Sequence, residues 1–90
     1  MKYEWDERKR EQTLKKRGVD FKDVKEFEWD TARIITDTRD NYGEDRYVAT
    51  GFIGGCLNVM AFTFRDEAVR VISLRKANAR ERRNYEEIVD

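Results

Sequence analysis

The sequence has no histidine, no proline and a single cysteine, Cys56. Without histidine the commonest general base at neutral pH is gone, together with the Ser/His and Cys/His nucleophile pairs and most zinc sites. One cysteine allows neither an internal disulfide nor a thiolate metal cluster, and it fits a reducing compartment as a small buried hydrophobe. No apolar run is long enough to span a bilayer, and the opening MKYEWDERKR lacks the apolar segment of a signal peptide. There is no glycine-rich phosphate loop; Gly54-Gly55 is a turn signal only. Chemistry is left to Arg, Lys, Glu, Asp and Tyr, with no metal and no cofactor expected, in a soluble cytoplasmic protein without a membrane partner. The 90 residues form one domain, 1–90, of marginal stability for its size.

Charge is plentiful and balanced, with 19 bases and 19 acids. It is unevenly placed. Arg70, Arg75, Lys76, Arg80, Arg82 and Arg83 face one acid, Glu81, within fourteen residues. A basic stretch in a neutral protein points to a local anion site rather than a general attraction to polyanions; a solvated helix face is the alternative.

Lys2 to Trp5 reads as a short strand. Asp6 caps a polar surface helix that Gly18 terminates after Arg17. Asp20 caps a second helix whose Phe21, Val24 and Phe27 share a core-facing stripe. Strands follow at Ala32–Thr38, Arg46–Ile53, Cys56–Arg65 and Ala68–Arg75, with turns at Gly54-Gly55 and Asp66-Glu67. Asn78 and Glu81 form a capping box for a last helix to about Val89. The order β-α-α-β-β-β-β-α predicts an α+β fold with a mainly antiparallel sheet.

Two-residue hairpins pair Ile53 with Cys56, hence Arg46 with Thr63, and Arg65 with Ala68, hence Thr63 with Arg70. One face then carries Arg46, Thr63 and Arg70 in a row, Arg65 diagonally beside them, and Val48, Phe52, Leu57, Val59, Ala61, Ile72 and Leu74. The other carries Ile53, Met60, Phe62, Phe64, Val69 and Val71, as a core. Clustered cations repel unless acids or an anion offset them, and an arginine fork matches two phosphate oxygens. The structural alternative is pairing with Asp37, Glu44 or Asp45. An extra residue in the Asp66-Glu67 turn would flip the last strand and remove Arg70.

Six segments in order, EWDERK, KRGVDF, YGEDRY, FTFRD, RVISLRKA and ERRNYE, span nearly the whole chain. Together they resemble the BrnT toxins, ribonucleases of type II toxin–antitoxin modules with a RelE-like fold. The chain departs from that family at Arg17, where a histidine is common, and at Thr13, where an asparagine is common. The resemblance implies RNA cleavage without a metal, the 2′-OH attacking its adjacent phosphate. Arg46, Arg65, Arg70 and Arg75 are the expected charge-stabilising set, with Lys76 nearby and Thr63 orienting one of them. Glu81 and Tyr85, four apart on the last helix, are the acid–base candidates, against a capping role for Glu81 and a core role for Tyr85. Lys2 and Arg80 are further substrate contacts. The expected partners are RNA and an antitoxin like the ribbon-helix-helix BrnA proteins, through which alone the chain would touch DNA. A non-catalytic RNA-binding module and a protein-interaction domain are the competing readings.

Overall fold

The computed structural model describes the backbone of residues 1–89 and the side chains of residues 1–87. Five strands, β1 (Lys2–Trp5), β2 (Arg33–Thr36), β3 (Tyr47–Ile53), β4 (Cys56–Arg65) and β5 (Ala68–Lys76), form one mixed sheet in the order β1-β5-β4-β3-β2. β1 runs parallel to β5, and the other three pairings are antiparallel. Helix α1 (Glu7–Arg17) starts on Asp6, which accepts from the Arg8 and Lys9 amides, and ends on Gly18 at φ 67°. It buries no residue, and Arg10 ties it to Asp20 at 3.2 Å. Helix α2 (Ala79–Val89) begins in the expected capping box, Asn78 and Glu81 bonding each other's amides. None of the described helices is long and apolar enough to cross a membrane.

The expected second helix is instead a pair of short 3-10 helices, Phe21–Glu26 and Trp29–Thr31. The physical reason lies in the spacing. Phe21, Val24 and Phe27 recur every three residues, which aligns them on a helix of three residues per turn and fans them out on one of 3.6. All three are buried against the sheet's back face, with Ala49, Met60, Phe62, Val69, Val71 and Leu74. Gly51 marks the closest approach: a Cβ there would lie 2.6 Å from Phe27 Cζ. The strands at Ala32–Thr38 and Arg46–Ile53 are shorter than expected, and the last runs one residue further, to Lys76.

Both hairpin registers hold, with Ile53 opposite Cys56 and Arg65 opposite Ala68. A bulge then intervenes. Ala61 pairs with Ser73 but Phe62 with Val71, so Ile72 has no partner. A single extra residue inverts the side-chain alternation beyond it. Leu74, expected on the arginine face, therefore joins Met60 in the back core, and Arg75 comes round to the front, opposite Val59. Two further placements differ from expectation. Phe64 lies at the rim of the back face, 61% exposed, rather than in the core, and Cys56 is exposed.

Candidate functional site: an arginine-lined trough

Helix α2 covers only one end of the front face. Tyr85 and Ala77 pack there on Leu57, Val59 and Phe52. The remainder of that face is an open trough of about 560 Å³ floored by Val48, Val59, Ala61 and Ser73. Small side chains on the floor leave room for a ligand; Arg75 lines the trough at the α2 end, and Arg65 and Arg70 lie beyond its other end on the same sheet face.

At the end remote from α2, Arg46 and Arg65 share the Glu44 carboxylate, at 3.3 and 3.8 Å. Arg46 also lies over the Tyr42 ring, 4.0 Å from its centroid. Arg70, opposite Thr63, reaches Glu4 of the neighbouring β1 at 3.5 Å. These contacts are long and partly solvated, so they hold the guanidiniums weakly and leave donors for another anion. The structural alternative weighed from sequence is thus partly realised, since Glu44 does pair here.

At the α2 end, Arg75 makes a bidentate pair with Glu81, at 2.7 and 2.8 Å. Arg75 and the Asn78 amide hold the Glu81 carboxyl down at about 2, while desolvation opposes them. Glu81 is therefore an anion at neutral pH with its oxygens engaged. It is poorly disposed as an acid, and weakly basic.

The other expected site residues separate. Thr63 is buried on the front face and donates to the Asp45 carbonyl at 2.5 Å, so its hydroxyl pins the loop that carries Arg46. The Tyr85 hydroxyl donates to the Thr31 carbonyl at 2.7 Å, and its ring is 5% exposed, stacked edge-on to Phe52. It is a core residue and offers neither a free proton nor a stacking face. Lys76 pairs with Asn58, which puts it on the sheet's other side from Arg75, by the same alternation that the bulge reset. Lys2 pairs with Ala68 at the β1 margin, on the Arg70 side of the sheet and exposed. Arg80 is exposed in the first turn of α2 and does not line the trough. Among the described residues no three His, Cys, Asp or Glu side chains form a metal-ligand set.

One cation was missed. Arg39, in the loop between β2 and β3, lines the trough with Arg75. Its only signal in the sequence is the Asp37 two residues before it, a turn-forming acid beside a base.

A family model for the ribonuclease toxin BrnT of type II toxin–antitoxin systems matches residues 5–81. No curated protein matches the chain. The matched span takes in every strand that lines the trough, with Arg39, Arg46, Arg65, Arg70, Arg75 and Glu81, and it covers most of the chain. The chain therefore belongs to the BrnT family of ribonuclease toxins of type II toxin–antitoxin systems.

Proposed function

We propose that the chain is a metal-independent endoribonuclease whose RNA lies in the front trough. The observation that carries this reading is the meeting of Arg46, Arg65 and Arg70 at one end of an open sheet face. Attack of a 2′-OH on its neighbouring phosphate builds charge on the non-bridging oxygens. Fixed guanidiniums stabilise that charge, and each well-placed donor contributes about a hundred- to a thousand-fold in rate. The bond from the 2′-oxygen to phosphorus forms, the bond to the leaving 5′-oxygen breaks, that oxygen takes a proton from water and departs as a hydroxyl, and a 2′,3′-cyclic phosphate remains.

The proton on the 2′-OH needs a base. Glu81 is committed to Arg75 and Tyr85 to the core, so neither serves. Glu44 lies between Arg46 and Arg65, held by long contacts of 3.3 and 3.8 Å, and we assign it that role. Arg70 and Arg65 complete the charge-stabilising set. Arg75 holds a flanking phosphate when it leaves Glu81, and Lys2 borders the RNA from β1. The chain acts as a single RelE-like domain in the cytoplasm, and a BrnA-like ribbon-helix-helix antitoxin silences it.

The test is cleavage of single-stranded RNA in excess EDTA by the parent and by Arg65→Ala and Glu44→Gln. The parent is expected to yield cyclic-phosphate ends, and both variants to be slowed by about a hundred-fold or more. RNA that is bound at low salt and stays intact would replace this reading with that of a binding module. Equal cutting by all three would place the chemistry elsewhere.

A further inference from the structure

Asp37 is almost wholly enclosed, its side chain 4% exposed, although it sits in a surface loop. Its carboxylate accepts from the Arg39 amide at 3.2 Å, from Arg39 Nε and Nη2 at 2.9 Å each, and from the Tyr42 hydroxyl at 3.3 Å. Its own amide donates to the Arg46 carbonyl at 2.8 Å. Asp37 is held well below the ordinary carboxylate range, first by the Arg39 guanidinium. The whole arrangement immobilises one side chain that is nonetheless 78% exposed, Arg39.

A long exposed arginine is normally free, and an exposed ion pair adds little stability. Freezing Arg39 is therefore not explained by the loop's own needs, since the Arg39 amide and Tyr42 already hold Asp37. What it achieves is presentation. Arg39 lines the trough on the side facing Arg75, and its charge opposes that of Arg75. Each guanidinium already has one carboxylate partner, Asp37 for Arg39 and Glu81 for Arg75, and a phosphate between them would be met by donors from both sides. Arg39 Nη1 has no partner among the described residues, so a donor edge remains for it.

We propose that Arg39 and Arg75 form a second phosphate subsite, which takes the backbone of single-stranded RNA at a phosphate flanking the one that is cut. This rests on the reading of the trough as the RNA site. Arg75 stands opposite Val59 and Arg70 opposite Thr63, four residues along β4 or roughly 13 Å of backbone, a separation that lets each arginine serve its own phosphate. Asp37 is a positioning residue, which removes beforehand the cost of ordering Arg39 on binding.

The probe is a fluorescent single-stranded oligoribonucleotide with 2′-O-methyl sugars, which binds and cannot be cut, titrated by anisotropy at several salt concentrations. Arg39→Ala is expected to raise Kd roughly tenfold and to flatten the log Kd–log salt slope by about 0.7. Arg39→Lys keeps the slope, because the charge stays, and loses part of the affinity. Asp37→Asn falls between parent and Arg39→Ala. On cleavable RNA the loss is expected in KM. The subsite is overturned if the parent binds and cuts RNA while Arg39→Ala matches its slope and Kd, or if the loss falls on kcat alone. A parent that binds no RNA removes the trough reading itself. If Arg39→Ala weakens only the antitoxin complex, Arg39 belongs to a protein interface and the proposal fails.

Discussion

The back face of the sheet holds Met60, Phe62 and Val69 at 1% exposure or less, under the 3-10 helices. Two residues along β4 from Thr63, on the front face, Arg65 is half exposed and touches one distant carboxylate. The same strands build both. The back satisfies its side chains by close packing, which accounts for stability; the front leaves charge incompletely paired, which is costly alone and useful to a ligand. Stability and activity are therefore expected to be separable by face.

The largest effect should come from the back. Phe62→Ala removes a ring packed on Trp29, Tyr47 and Phe64 and is expected to cost about 3–5 kcal/mol in urea unfolding. A cost below about 1 kcal/mol would mean that the core does not bear on this ring. Next, Arg70→Ala should reduce RNA cleavage by about a hundred-fold or more while the unfolding free energy stays within about 0.5 kcal/mol of the parent. A variant that lost activity and stability together would break the division between faces. Gly51→Ala, forced against Phe27, is expected to destabilise by about 1–3 kcal/mol with cleavage intact in the folded fraction.

Smaller effects sharpen the comparison. Glu81 titrates at about 2 in the folded chain against 4.5 ordinarily, so its pairing stabilises the fold above pH 4.5 and that contribution fades as pH falls toward 2. Glu81→Gln should lose less stability than the parent across that window; parallel unfolding curves would remove the pairing from the account. Last, Asp66 and Glu67 both have positive φ, 51° and 68°, in the β4–β5 turn. Glu67→Gly creates the Asp-Gly pair this turn geometry favours and is expected to gain up to about 1 kcal/mol.

Much of this was legible from residue order. Asp6 and Gly18 bound α1, and the Gly-Gly pair and the Asp66-Glu67 turn set registers that placed Arg46, Arg65 and Arg70 together. Alternation along β5 was not legible past Ile72, because no residue type there announces a bulge; Leu74, Arg75 and Lys76 all depend on it. Tyr85 and Thr63 looked chemical and are structural, because a hydroxyl's partner is a matter of three-dimensional neighbours, here the Thr31 and Asp45 carbonyls. Arg39 escaped notice because its placement is set by Asp37 and Tyr42, whose contacts close only when the loop is folded.

The parallel pairing of β1 with β5 joins residues 2–5 to residues 68–71. β1 therefore cannot pair until β5 has been made, and Arg70 meets Glu4 across a sequence separation of 66. Contacts of such separation form slowly. This sets an order of events for the arginine face: Arg70 gains its Glu4 partner only once β1 has closed the edge of the sheet.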